Sequence, residues 1–268
     1  MTEFRDIRVD KPEPHIARIT LARPKQMNAY TTRLCEEMVR ALDAYLRDDT
    51  QRVLIITGEG RAFCSGGDVS GADDAHHELM QSQLSHAREM RDGMHRVIRA
   101  LHHLDKPVIA SINGAAVAGG LTLALACDFR IAADSARLGD TSGKYALLPD
   151  KGGAWFFPRA MGLDRALKMT LLSEIYDAKT AHDLGLVTEV VPASDLETRT
   201  LAFAKSLAAK GPLAVRLAKA MMHRALTTSL EHALSDAALS VMVSNPSQDV
   251  REGVKAFFEK RPPKFEGR

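Results

Sequence analysis

One stretch constrains the fold of this chain more than any other: Val108-Ile109-Ala110-Ser111-Ile112-Asn113-Gly114-Ala115-Ala116-Val117-Ala118-Gly119-Gly120, running straight into Leu121-Thr122-Leu123-Ala124-Leu125-Ala126. An apolar run, a glycine-bearing turn and a second apolar run read as a buried strand, a turn and the start of a helix. The first amides of a helix have no partner within it, and the aligned peptide dipoles place roughly half a positive charge there. Gly119 and Gly120 lack a Cβ and let a ligand oxygen approach those N–H groups, which makes the turn a candidate anion site. Earlier, Val53-Leu54-Ile55-Ile56-Thr57 leads to Arg61-Ala62-Phe63-Cys64-Ser65-Gly66-Gly67-Asp68, a second apolar run ending in exposed amides. Two such loops can converge on one oxygen. Fixed backbone donors suit an oxyanion that develops during reaction, and losing one costs about 2.7–4 kcal/mol in the transition state. Each turn by itself fits an ordinary strand-to-helix connection equally well.

Around these turns, strands and helices alternate. Ile7 and Val9, then Ile19 and Leu21, alternate with polar neighbours as half-buried strands do. Leu34, Met38, Ala41, Leu42 and Tyr45 recur at helical spacing before the strand at 53–57. The segment 71–84 has no persistent apolar period and reads as a loop or lid. A single helix is expected where Met90, Met94, Val97, Ile98 and Leu101 form a stripe ending near Lys106-Pro107. Strands follow at 129–133 and 187–191, and Ser194-Asp195-Leu196-Glu197 reads as a capping box. Beyond it only helical periodicity remains, as in Leu213, Leu217, Met221 and Ala225. The class is α/β, with a strand-rich core at 1–195 and a helical region at 196–268.

Composition excludes several function classes. A formal net charge of +2 over 268 residues, without a basic-aromatic stripe, argues against nucleic acid. The N-terminus is charged and no apolar run approaches the length of a membrane span, so a cytoplasmic protein without a membrane partner is expected. Cys35, Cys64 and Cys127 form no metal-spacing motif and fit a reducing compartment. Six of the ten histidines lie between His76 and His103, but the adjacent pairs His76-His77 and His102-His103 point apart on a helix. They read as solvated surface, and no metal is expected.

The residues match a known family. Arg23-Pro24-Lys25 with Asn28-Ala29, Gly58-Glu59-Gly60 through Asp68, Asn113-Gly114 with Gly119-Gly120, Ala126-Cys127-Asp128, Pro149 with Gly152-Gly153, Gly185-Leu186-Val187 and the tail from Arg251 to Arg261 occur in order over nearly the whole chain. The set resembles the crotonase superfamily, the enoyl-CoA hydratase/isomerase proteins. That resemblance implies a crotonase (ClpP-like) spiral of ββα units with a C-terminal helical oligomerisation region, assembled as a homotrimer or hexamer. It implies an acyl-CoA thioester substrate, coenzyme A being part of that substrate, and no other cofactor. By the same resemblance, the N–H groups of Gly67 and Gly119 hold the thioester oxygen as it becomes an enolate. CoA then lies along Lys25, Ala29, Ser65, Gly66 and Asp68, met from the tail by Phe257 and Lys260.

Hydratases of the family place two glutamates around the substrate, at positions that here carry Thr122 and Ser142. An isolated hydroxyl keeps its proton near neutral pH and makes no general base. The nearest carboxylate is Asp150, in a Pro149-Asp150-Lys151-Gly152-Gly153 run that resembles enoyl-CoA and phenylacetate-pathway isomerases. Double-bond isomerisation with Asp150 as base is therefore expected ahead of hydration, in which Asp140 or Asp150 is the acid/base. His95 matches the histidine position of 4-chlorobenzoyl-CoA dehalogenases, whose nucleophilic aspartate falls at Asp150, which leaves acyl-CoA hydrolysis or dehalogenation as a minor reading. A non-catalytic CoA- or RNA-binding homologue is another. Asp68 and Asp128 are expected to brace turns.

Overall fold

The computed structural model describes residues 4–68 and 83–268, with the backbone alone at 83–86. Strands β1 (Ile7–Glu13) and β2 (Ile16–Leu21) form the expected antiparallel hairpin. Helix α1 (Thr32–Arg47) opens where the Thr31 hydroxyl accepts from the Leu34 amide at 3.2 Å, and its Leu34, Met38, Ala41, Leu42 and Tyr45 stripe is buried. At the far end the buried Lys106 ammonium donates to the carbonyls of Tyr45, Leu46 and Asp48 and so caps α1.

From there the chain repeats one unit three times. Strands β3 (Val53–Gly58) and β4 (Ala62–Cys64) precede helices α2 (Gln83–Asp92) and α3 (Met94–His103). Strands β5 (Val108–Ile112) and β6 (Ala115–Val117) precede α4 (Gly119–Leu125). Strands β7 (Phe129–Ala133) and β8 (Arg137–Gly139) precede α5 (Gly153–Met161) and α6 (Leu163–Leu172). The short elements β9 (Ile175–Asp177), α7 (Ala178–Asp183) and β10 (Glu189–Val191) follow. The first strand of each pair joins one sheet, ordered β1-β2-β3-β5-β7-β10, and the second joins another, ordered β4-β6-β8-β9. Parallel pairing of β3 with β5 and β7, and of β4 with β6 and β8, makes this a spiral of ββα turns.

The larger sheet is covered on both faces. Leu54 and Ile56 point into the main core, while Val53 and Ile55 pack with Leu196, Ala204 and Ala208 of helix α8 (Leu196–Ala208). So α8, although it opens the helical region, completes the core. Helices α9 (Pro212–Ala225), α10 (Leu230–Ser244) and α11 (Gln248–Phe258) do not: α9 buries no residue, and Leu226, Leu239, Met242, Phe257 and Phe258 are exposed. Among the described residues, no helix is long and apolar enough to cross a membrane.

Three local expectations are corrected. The stripe from Met90 to Leu101 is two helices broken at Gly93, because an apolar period does not register a single-residue break in backbone angles. The capping box does not form: Ser194 donates to Asp195, and Glu197 instead accepts from Arg18 at 2.8 Å. His102 is not a solvated surface group; its ring lies 5.1 Å from that of Trp155 and 5.0 Å from that of His223. The expected loop at 71–84 lies outside the described residues as far as residue 82, and so do His76 and His77.

Candidate active site

Between β2 and α1 the chain makes a tight loop whose Met27 and Asn28 are left-handed, a conformation asparagine tolerates. The fully buried Asn28 side chain accepts from the Arg23 amide at 2.9 Å and donates to the carbonyls of Glu59 and Ala62. Arg23 donates to the Ala29 carbonyl and, at 2.8 Å, to the Asp68 carboxylate. This tie lays residues 29–30 along the 65–68 turn. The Tyr30 amide donates to the Gly66 carbonyl at 2.9 Å and the Asp68 amide to the Tyr30 carbonyl at 3.0 Å, a parallel bridge centred on Tyr30 and Gly67. In that register the N–H of Gly67 points away from Tyr30, and it has no acceptor among the described residues.

Asn113 fixes the second turn by donating to the carbonyls of Gly60 and Ala62. Ala118 then adopts φ 50° and ψ −124°, a region that costs a residue with a Cβ about 1–3 kcal/mol and clusters at functional sites. Its amide bonds the Gly139 carbonyl at 3.0 Å, and the next peptide presents the Gly119 N–H, which likewise has no acceptor among the described residues. The turns touch: a Cβ on Gly66 would lie 3.3 Å from the Ala118 Cβ and 3.6 Å from the Gly119 nitrogen. The glycines answer mainly to packing. A Cβ on Gly120 would fall 2.0 Å from the Cys64 carbonyl oxygen, and one on Gly119 would fall 2.3 Å from the Tyr30 hydroxyl. Helix α4 is only seven residues long, so the donors here are individual amides more than a macrodipole.

Both turns open on a cavity of about 620 Å³, with Lys25, Gln26, Ala29, Ser65 and Asp68 along it on the Gly67 side. Thr122, Asp140, Ser142, Asp150 and Lys151 also line it, together with Glu89 from α2. Asp140 is fully buried. One of its oxygens accepts from the Ser142 amide at 3.0 Å and the Ser142 hydroxyl at 2.7 Å; the other has no partner among the described residues. The Ser142 hydroxyl is thus engaged, and that of Thr122 donates back to the Ala118 carbonyl at 3.5 Å. Asp150 pairs with Lys151 at 2.9 Å, both side chains roughly four-fifths buried. His95 is placed beneath this loop, not in the cavity: its Nε2 lies 2.8 Å from the Asp150 carbonyl oxygen and, facing a pure acceptor, carries the proton.

Gly66 serves as the hinge of its turn, at φ 100°, and does not line the cavity. Phe257 and Lys260 lie at the end of α11, away from the cavity within one chain. Asp128 is tied to Val108, Lys219 and His223, as a bracing role requires. Burial pushes the Cys64 and Cys127 thiols up to about 12, so neither is a nucleophile. Among the cavity residues that sequence reasoning missed are Glu89 and Tyr30. Glu89 adjoins the apolar stripe, which was its only signal; Tyr30 carried none, since a tyrosine after Asn-Ala reads as core.

The spiral of ββα turns thus brings two amides without an acceptor among the described residues, and the carboxylates of Asp140 and Asp150, onto one cavity. The family model for enoyl-CoA hydratase/isomerase matches residues 12–268, and the chain belongs to this family. It is similar to a Rhodobacter capsulatus protein named probable enoyl-CoA hydratase, with 39% identity over 94% of this chain and 95% of that protein. It is 34% identical to the 1,2-epoxyphenylacetyl-CoA isomerase of Escherichia coli, over 96% and 97% of the two chains. The crystal structure of enoyl-CoA hydratase from Bacillus anthracis superposes with a TM-score of 0.92 at 35% identity, covering 98% of this chain and all of that one. The protein is an enzyme of the enoyl-CoA hydratase/isomerase kind.

Proposed function

We propose that the chain shifts a double bond in an enoyl-CoA thioester, with Asp150 carrying the proton. The thioester oxygen accepts from the N–H groups of Gly67 and Gly119, CoA lies along Lys25, Ala29, Ser65 and Asp68, and the acyl chain enters towards Asp150. A thioester α-proton is weakly acidic, and stabilising the oxygen as it becomes an enolate lowers the barrier to its removal. Asp150 takes the proton from C2 of a 3-enoyl-CoA, the C3–C4 double bond migrates to C2–C3 through the dienolate, and the same carboxyl returns the proton to C4. No group is gained or lost, so a single carboxylate suffices. Coenzyme A leaves with the product, and the step calls for no metal or redox group.

The observation that carries this reading is that Thr122 and Ser142 spend their hydroxyls within the protein, while Asp150 stands on the same cavity as both free amides. Asp150→Asn is expected to lower isomerase turnover by about 10²–10⁴-fold while CoA-ester binding, measured by calorimetry, stays within a few-fold. Unchanged turnover removes Asp150 from the mechanism. The unpartnered oxygen of Asp140 favours a second reading, hydration of a 2-enoyl-CoA with Asp140 and Asp150 managing the water. Rapid water addition by the wild type would select it.

In this proposal the exposed apolar residues of α9–α11 meet other copies of the chain in a trimer or hexamer, which also supplies Phe257 and Lys260 to CoA across the interface. Light scattering is expected to give three or six times 29.3 kDa, and a monomer overturns it. The three buried free thiols support a reducing, cytoplasmic setting.

A further inference from the structure

Tyr30 stands where no role has been assigned to it. Its ring belongs to the main core and is only 8% exposed, yet it lines the cavity. The hydroxyl makes no hydrogen bond to any described residue. The ring is buried while the oxygen is not among the buried unpartnered atoms, so the hydroxyl is open to the cavity and free to donate to an acceptor there. The nearest backbone is that of the two glycines. A Cβ on Gly119 would fall 2.3 Å from the Tyr30 oxygen and 2.8 Å from Cε1, and one on Gly67 would fall 3.6 Å from the same oxygen. The phenol therefore packs against the side-chain faces of the two glycines whose N–H groups have no acceptor among the described residues.

Its position is held from three sides. The Tyr30 amide and carbonyl are both used on the 65–68 turn, and the ring is packed in the core, so the oxygen does not have to reorganise to meet a ligand. Burial pushes the phenol well above its ordinary value, and nearby Asp150 and Glu89 push the same way. The group accordingly stays protonated and acts as a donor, neither as a base nor as an acid that gives its proton away.

We infer that the Tyr30 hydroxyl is a third hydrogen-bond donor to the thioester oxygen, beside the amides of Gly67 and Gly119, and that it strengthens as that oxygen becomes an enolate. The inference rests on the enolate reading above and deepens it. No proton is transferred: the phenol keeps its O–H bond while the carboxylate handles the carbon-bound proton. A buried tyrosine used in this way on a carbonyl oxygen has chemical precedent in ketosteroid isomerisation.

The test compares wild type with Tyr30→Phe, which removes one oxygen and keeps the ring. Two readouts are needed: turnover of an enoyl-CoA panel, and binding of acetoacetyl-CoA, whose bound enolate absorbs in the near ultraviolet, against binding of saturated butyryl-CoA. Turnover and acetoacetyl-CoA affinity are expected to fall together by about 10²-fold, with butyryl-CoA affinity unchanged. A residue that only fills space leaves all three unchanged in Tyr30→Phe, and that result overturns the inference. Should Tyr30→Phe melt early, fluorotyrosine placed at position 30 by suppression keeps the fold and makes the phenol a stronger donor. Acetoacetyl-CoA affinity is then expected to rise, and a flat response overturns the inference. A wild type that neither turns over any enoyl-CoA nor binds the acetoacetyl-CoA enolate overturns the enolate reading itself, and this inference with it. A wild type that does either, with a mutant indistinguishable from it, overturns the Tyr30 assignment alone.

Discussion

Asp140 is fully buried and Asp128 mostly so, each at the end of a core strand or helix, and their surroundings differ. Asp128 is paired on both oxygens: one accepts from the Val108 amide and the Lys219 ammonium at 2.7 Å each, and the other faces His223 at 3.6 Å. Burial alone would raise its carboxyl, but His223 and Lys219 outweigh that and hold it below the ordinary carboxylate value. Asp140 spends one oxygen on Ser142 and leaves the other unmatched against a cavity. A buried polar atom without a partner is expensive, and that of Asp140 lies on the cavity, whereas the unmatched Tyr45 hydroxyl and Gln51 Oε1 lie away from it. Asn28, Lys106 and Glu37 follow Asp128: Glu37 accepts from the Arg5, Asp6 and Ile7 amides.

Three substitutions test that contrast. The largest effect is expected in Asp140→Asn: under the hydration reading it should lower turnover by about 10²-fold or more, whereas under isomerisation by Asp150 alone turnover should hold, with the melting temperature held or raised in either case. Lost stability with unchanged turnover would place Asp140 on the bracing side instead. Asp128→Asn should do the reverse. It leaves Lys219 charged in a site where the two side chains are 13% and 10% exposed, and breaking such a pair costs about 3–5 kcal/mol, or about 10 °C in melting temperature for a chain of this size. Turnover per folded molecule should hold, and calorimetry with active-site titration separates the two.

The smallest effect concerns His102, packed on Trp155, Phe156 and His223. Burial, then the charges of His223, His103 and Lys219, outweigh Asp128 and lower its pKa from 6.5. With a depressed folded value, the stability this ring contributes is whole above pH 6.5 and is lost as pH falls below it, because the unfolded chain protonates first. His102→Gln should therefore flatten the decline in melting temperature between pH 7 and 5. An identical slope in both proteins would mean that the cluster tolerates the charge.

Much of this was legible in the residues themselves. Period-2 and period-3.6 patterns located β1, β2, α1 and α9, and the glycine-bearing motifs located both turns, because burial on one face leaves a trace at fixed spacing. The break at Gly93, the unformed cap at Ser194 and the burial of His102 left no such trace. The last two depend on a neighbour distant in sequence: Glu197 finds Arg18, and His102 finds Trp155 and His223.

Taken alone, the order of residues determined the α/β class, the family and the two glycine-bearing turns that open on the cavity, since these rest on local period and on motifs contiguous in the chain. Only the folded chain decided which buried oxygens are matched and which are open. Tyr30 against Gly67 and Gly119, and Asp140 with one oxygen spent on Ser142, owe their chemistry to groups brought together by the stacking of three ββα turns. Hydrogen-bond satisfaction is a property of three-dimensional neighbours, and no spacing along a strand or helix encodes it.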